Sequence, residues 1–142
     1  MAGALTGNDE KHDVTERLRV WEFQGAELDL LVAQAAGMQD ARIVDGVCMI
    51  AGSRGGQTSS FSRVRYRPST SWDDGGPILE RESISVWRYP NLDSWHACKD
   101  FDFVRDEGLK AQYYSQGPTP LVAAMRCFVA SKLWEDAQEN EQ

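Results

Sequence analysis

The sequence has few of the residues that build metal sites or disulfide scaffolds. Its 142 residues contain two histidines and three scattered cysteines, Cys48, Cys98 and Cys127. An odd number of scattered cysteines is not a disulfide framework, and a reducing compartment keeps such thiols free. His96 and Cys98 would share one face of a strand, but zinc needs about four ligands. We therefore predict no metal site.

Long apolar runs are also missing. No segment approaches the roughly 18 to 20 apolar residues of a membrane span. The N-terminus is polar from Asn8 to Asp13, where a signal peptide needs an apolar stretch. These features predict a cytoplasmic protein that has no membrane partner.

The signatures of common catalytic sites do not occur either. The chain contains neither G-x-S-x-G nor G-x-x-x-x-G-K-[ST]. The glycine-rich run from Gly52 to Gly56 is compatible with an anion-binding nest of backbone amides, but a hairpin loop explains it as well. We predict no catalytic residues and no cofactor, and an enzyme is the weaker functional hypothesis.

Negative charge is present, but it is concentrated at one end. The formal charge is −7, and the segment from Glu135 to Gln142 holds four acids and no bases, so the rest of the chain carries −3. A composition of 42% apolar and 26% charged residues is that of an ordinary globular domain. Without a basic footprint, we expect no nucleic-acid partner.

The length of the chain predicts one domain with one core. Polarity and periodicity divide it into a disordered tail over 1–17, a single domain over 18–134 and an acidic C-terminal tail over 135–142. The expected fold is α+β, with an antiparallel sheet flanked or sandwiched by helices.

Two helices are predicted from apolar periodicity. The first spans Gly25 to Ala36 and should stop at Gly37. The second begins at Pro120, with Thr119 as N-cap, and should close at Trp134. The apolar stripe of this second helix comprises Leu121, Ala124, Met125, Phe128, Val129 and Leu133.

Alternation and turn residues predict several strands and loops. Strands are expected over Phe61–Arg67, Ile84–Tyr89 and Ser94–Lys99, with a turn at Pro90–Asp93, and a strand or tight hairpin over Ala41–Ile50 around Asp45-Gly46. Leu18–Phe23 is expected to be extended, and 51–60 is expected to be a loop. We expect Trp72–Glu82 to be a loop that leads into a helical turn from Pro77. The segment 101–115 is expected to be irregular, with one short strand near Tyr113.

Three arginines on one predicted strand face are the first functional candidate. Arg63, Arg65 and Arg67 alternate with Val64 and Tyr66, so they should point one way while the apolar pair points to the core. Arg54 belongs to the preceding loop. Guanidinium groups about 7 Å apart repel unless an anion lies among them. That anion is either a carboxylate of the protein, such as Glu80 or Glu82, or it belongs to a phosphate-bearing ligand or an acidic partner.

Trp72 is the second candidate. Most of the five tryptophans should belong to the core. Trp72, however, lies in a turn-rich segment beside Gly75 and Gly76, where the backbone is open to a close approach. An aromatic face next to bare amides and arginines can hold a nucleobase and its phosphate. The predicted ligand-binding residues are therefore Trp72, Gly75, Gly76, Arg54, Arg63, Arg65 and Arg67.

Several motifs resemble the NinX proteins, small products of lambdoid phages. They are QGAELD at 24–29, PSTSW at 68–72 followed by GGPILERE at 75–82, and GPTPL at 117–121 followed by AAMRC at 123–127. The resemblance covers roughly half the chain in the order of the family. It implies a phage or prophage accessory protein with helices packed on an antiparallel sheet, and it implies no particular activity.

These observations favour a protein that works by binding a host protein or a small anionic ligand, such as a nucleotide. The binding surface would consist of the four predicted arginines and the Trp72 segment. A small enzyme that acts through the carboxylates near Trp72 is one alternative. A structural subunit, including a homo-oligomer, is another.

Overall fold

The structure, a computed structural model, describes residues 19–54, 57–104 and 108–140. Three α-helices, a short 3-10 helix and two three-stranded antiparallel sheets occupy these ranges. This confirms the predicted α+β class. None of the helices in the described ranges is long and apolar enough to cross a membrane. The tail predicted over 1–17 lies outside the described residues.

The six strands form two three-stranded sheets. In chain order the elements are the 3-10 helix Val20–Glu22, α1 Gly25–Ala35, β1 Arg42–Val44, β2 Val47–Arg54, β3 Gln57–Arg65, α2 Trp72–Glu82, β4 Ser85–Trp87, β5 Trp95–Val104, β6 Gly108–Gly117 and α3 Pro120–Asn140. The strand orders are β1-β2-β3 and β4-β5-β6, and every pairing is antiparallel.

The first helix ends where its sequence predicts. Gly37 has a φ of 89°, a left-handed conformation that glycine adopts without strain. The N–H groups of Gly37 and Met38 donate to the carbonyls of Gln34 and Ala33 at 3.0 and 2.9 Å, which is the bond pair of a Schellman motif. The hairpin predicted at Asp45-Gly46 is also confirmed, since β1 and β2 pair directly across it.

Helix α3 lies at the centre of the molecule. Its N-cap is the predicted one, because Val122 N–H donates to Thr119 Oγ1 at 3.1 Å. All residues from 121 to 130 are buried, not only the predicted stripe. The cause is packing on several sides, by β4, β5 and β6 and by α1, α2 and the 3-10 helix. The helix also runs past Trp134 to Asn140, since no glycine or proline interrupts it there.

Helix α2 corrects one prediction. Trp72–Glu82 is a continuous helix rather than a loop leading into a turn at Pro77. A Cβ atom on Gly75 would lie 2.4 Å from Pro68 O and 2.8 Å from Leu121 Cδ2. Gly75 therefore allows close packing of α2 on α3, and this tertiary contact outweighs the poor helix propensity of the segment.

Three further corrections concern backbone that was expected to be irregular or extended. Strands β2 and β3 enter the loop predicted at 51–60, with Arg54 paired to Gln57. Strands β5 and β6 cover 101–104 and 108–115 of the segment predicted to be irregular, with Val104 paired to Gly108. Ladder hydrogen bonds join backbone groups, so polar and glycine-rich sequence can sustain them. The segment expected to be extended before α1 forms the 3-10 helix instead.

Candidate functional site

The register of the first sheet places arginines in one cross-strand row. Arg42 pairs with Met49, and Met49 pairs with Arg65, so the three side chains point to the same face of the sheet. Arg63 is two residues from Arg65 and shares that face. Arg42 was not among the residues predicted from the sequence, because only the pairing of β1 with β2 brings it to this row.

The other predicted arginines lie at the margins of this face. Arg63 Nη1 donates to the carbonyl oxygen of Asp40 at 3.0 Å. Arg67 lies beyond the end of β3, and its backbone N–H donates to Asp74 Oδ2 at 2.9 Å. Arg54 is the last residue of β2, and its side chain lies outside the part that the structure describes. The arginine face is defined here as Arg42, Arg63 and Arg65.

The side chains that alternate with these arginines, Val64 and Tyr66, were predicted to be buried, and this is confirmed for one of the two. Tyr66 is buried, whereas Val64 is 45% exposed. Helix α1 packs on β1 and β2, and Val64 belongs to β3 at the edge of the sheet. An edge strand receives less cover than the strands beneath the helix.

The carboxylate of Glu82, one of the two suggested partners of these arginines, is engaged elsewhere. Glu82 Oε1 lies 2.8 Å from Lys99 Nζ and 3.4 Å from Lys132 Nζ, and Oε2 lies 3.1 Å from Arg81 Nε. Burial alone would raise the pKa of Glu82, but the hydrogen bonds from Lys99 and Arg81 outweigh it and lower that pKa to about 2. This cluster ties α2, β5 and α3 together.

Trp72 begins α2, and its side chain is 54% exposed. The turn before it is fixed by Asp29, which is buried and accepts a hydrogen bond from Ser69 N–H at 2.8 Å. Burial raises the pKa of Asp29 despite that bond. Gly75 faces Pro68 and Leu121 rather than open space, while Gly76 has only Trp72 Cε3, at 3.9 Å, near a virtual Cβ.

The tryptophans as a group do not form the core. Trp21 is 46% exposed, and Trp87, Trp95 and Trp134 are half-buried. The largest fully buried side chain is Phe128. The prediction that most tryptophans are core residues was therefore wrong, and exposure does not single out Trp72.

A cleft that sequence reasoning missed lies between the 3-10 helix, the end of β6 and α3. Its volume is about 790 Å³, within the range of small-molecule sites. The chain approaches closely here, because a Cβ on Gly117 would lie 2.7 Å from Ala123 N. The lining residues that bear on its chemistry are Trp21, Asp93, Tyr114, Gln116, Gly117 and Arg126.

Arg126 brings a buried positive charge to this cleft. It is only 8% exposed, and Nε and Nη1 donate to the carbonyl oxygens of Phe23 and Gln116, both at 2.9 Å. Among the described side chains, no carboxylate pairs with it. Burial lowers the pKa of Arg126, yet a guanidinium stays charged at neutral pH. A guanidinium carries five N–H donors, so three remain beside these two bonds, and Arg126 lines the cleft.

The sequence did carry a signal for this residue. An arginine stands inside the apolar run Leu121–Val129 of a well-capped helix, and a charge is rarely fully buried unless it is paired. The apolar stripe of the helix does not by itself reveal this residue.

An aromatic cluster adjoins the cleft at Tyr114. The hydroxyl of Tyr114 and Nδ1 of His96 share a short hydrogen bond. The His96 ring stacks on Trp87 at 5.5 Å and meets the edge of Tyr89 at 5.1 Å. His96 Nε2 is buried and has no hydrogen-bond partner among the described residues. Packing and hydrogen bonding therefore fix the orientation of Tyr114.

Comparison with known proteins adds one positive finding. The model of a protein family described as bacteriophage P22, NinX, matches residues 19–132. The match includes the cleft, the arginine face and Trp72. No curated protein matches the chain.

Proposed function

The chain belongs to the bacteriophage P22 NinX family, and we propose that this phage accessory protein acts by binding a small anionic ligand, in the cytoplasm of the host cell. The observation that carries the proposal is Arg126. A buried charge without a carboxylate partner is costly unless something compensates it. Its carbonyl contacts hold the guanidinium in place, and the cleft gives an anion access to it.

Binding rather than catalysis agrees with the state of the other reactive groups. Burial raises the pKa of Cys48 to about 11 and also raises the pKa of Cys98, so both thiols stay protonated and are poor nucleophiles. Asp74, one of the acids near Trp72, already accepts a hydrogen bond from the backbone of Arg67. The two buried thiols therefore supply no ready nucleophile, and Asp74 has a structural role in the turn before α2.

The test compares ribose 5-phosphate with ribose by titration calorimetry. Charge-assisted hydrogen bonds contribute about 1.5 to 3 kcal/mol each, so we expect the phosphate to bind at least about tenfold more tightly than the neutral sugar. Arg126→Gln should remove that difference, while Arg88→Gln, at an exposed site outside the cleft, should preserve it. Equal affinities of both probes for the unmodified protein would refute the proposal, whether or not the Arg126 variant folds.

A second candidate function is contact between the arginine face and an acidic protein partner. Two observations favour it: Arg42 and Arg65 are exposed beside Met49, and Glu82, one of the two carboxylates suggested as their partners, pairs with other cations. The test is retention on a polyglutamate column. Because the formal net charge of the chain is −7, the protein as a whole should not adhere to polyglutamate, and retention would indicate a local basic patch. We expect salt-sensitive retention that the double change Arg42→Glu and Arg65→Glu removes. Arg88→Glu serves as the matched control, and equal behaviour of both variants would reject this candidate.

A further inference from the structure

Two large aromatic side chains that line the cleft are only half covered by protein. Trp21 is 46% exposed and Tyr114 is 51% exposed, and both line the cleft together with Arg126. Exposed aromatic rings beside a concave site are a common means of binding flat ligands, because the rings offer large rigid contact areas. The cleft is therefore lined by two exposed aromatic side chains and by one buried cation.

Tyr114 offers a ligand its ring rather than its hydroxyl. That hydroxyl is already engaged by Nδ1 of His96. The Tyr114 ring is tilted by 45° against Trp87, with centroids 6.2 Å apart, and Trp87 in turn stacks on His96. A ring held in this way loses little conformational freedom when a second ring packs on it.

The size and charge of the cleft narrow the ligand further. A volume of about 790 Å³ is larger than an inorganic anion requires and suits a small organic molecule. Asp93 also lines the cleft, and its carboxylate favours a ligand group that donates hydrogen bonds over a second anionic group. The matching chemistry is one anionic group at one end and an aromatic ring at the other.

We propose that the ligand is a flat aromatic anion, whose ring stacks on Trp21 and Tyr114 while its phosphate or carboxylate accepts hydrogen bonds from Arg126. This rests on the proposed function of the cleft. It adds the aromatic part of the ligand and the two residues that recognise it. A nucleoside monophosphate and an aryl carboxylate share this chemistry, and separate probes distinguish them.

The experiment is a calorimetric titration of the full chain with four probes: adenosine 5′-monophosphate, 2-naphthoate, ribose 5-phosphate and adenosine. We expect one aromatic anion to bind at least about tenfold more tightly than both ribose 5-phosphate and adenosine, since stacking on one aromatic residue is commonly that strong. The better of the first two probes identifies whether phosphate or carboxylate is preferred.

Trp21→Leu is the decisive variant, because Trp21 is exposed and its replacement leaves the buried core intact. It should weaken the binding of the aromatic anion about 5- to 100-fold and leave the affinity for ribose 5-phosphate unchanged. Trp72→Leu is the matched control, since Trp72 is equally exposed but does not line the cleft, and it should change neither affinity.

Each other outcome overturns a defined claim. If ribose 5-phosphate binds as tightly as the aromatic anions and Trp21→Leu changes nothing, the aromatic ligand is refuted while anion binding at Arg126 stands. If no anion binds the unmodified protein, both proposals fail. If Trp72→Leu rather than Trp21→Leu weakens binding, the ligand lies on the Trp72 surface and the cleft is not its site.

Discussion

The two three-stranded sheets differ in how much of the core each carries. Sheet β4-β5-β6 packs against the central helix α3, and its residues Ala97, Cys98 and Tyr113 are buried. Sheet β1-β2-β3 is covered by α1 on β1 and β2 and leaves Val44 and Val64 exposed. The second sheet thus contributes more residues to the core, while the first sheet leaves more of its surface exposed for contacts with other molecules.

The largest expected effect is loss of the aromatic ring at the centre of α3. Phe128 is fully buried, so Phe128→Ala should lower the free energy of unfolding by about 3 to 5 kcal/mol through lost burial and a residual cavity. Urea denaturation measures it, with Val44→Ala in the first sheet as the comparison. A loss below about 1 kcal/mol for Phe128→Ala would contradict the central position of α3.

The ion cluster behind the second sheet should make stability depend on acid. The folded-state pKa of Glu82 is about 2 against an ordinary value of 4.5, so its contribution is complete above pH 4.5 and disappears as the pH falls towards 2. The wild type should lose about 2 to 3 kcal/mol more than Glu82→Gln over that window. Glu80→Gln, at an exposed site on the same helix, should behave like the wild type in urea titrations at pH 7, 4 and 2.5. If the free energy of unfolding changes with pH in the same way for Glu82→Gln and for the wild type, the cluster adds no stability.

Two neighbouring glycines in α2 should respond in opposite directions to the same change. Gly75→Ala would bring a Cβ to 2.4 Å from Pro68 O and should destabilise the protein by about 1 to 3 kcal/mol. Gly76→Ala meets nothing closer than 3.9 Å and should stabilise the helix by about 0.5 to 1 kcal/mol. Thermal unfolding of both variants is the measurement. Changes of the same sign would show that α2 does not pack on α3 as closely as described.

The smallest effect is expected in the first sheet. Val64→Thr replaces a residue that is 45% exposed and should change the free energy of unfolding by less than about 0.5 kcal/mol. The same substitution at Val129, which is 1% exposed, buries a hydroxyl in the core and should cost at least about 1 kcal/mol. Equal losses at the two positions, read from denaturation midpoints, would remove the distinction between the sheets.

Local chemistry predicted the capped ends of two helices. The caps at Gly37 and Thr119 follow from the backbone groups that a helix terminus leaves unpaired, and both are confirmed. The burial of α3 on all sides did not follow, because alanine, serine and cysteine between the apolar residues suit either a core or a surface. Helix α2 depends on a contact between Gly75 and Leu121, 46 positions apart in the chain, which no local pattern contains.

The same limit applies to the candidate site. The alternation of Arg63 and Arg65 in β3 was visible, but Arg42 joined them only through the register of β1, β2 and β3. Arg126 was visible as a charge in an apolar run, although its carbonyl partners, Phe23 and Gln116, come from distant parts of the chain. Pairing across the fold decides both surfaces.

Arg126 also acts as a non-covalent cross-link. Its bond to the Phe23 carbonyl joins residues 103 positions apart and so closes a loop that includes most of the domain. An anion that restrains the guanidinium would also restrain the backbone just before α1. The amides of Glu22 and Phe23, which donate to Arg19 and Val20, should then exchange with deuterium more slowly when the cleft is occupied. Occupancy of the cleft would thus be reported by the 3-10 helix Val20–Glu22 and the residue that follows it.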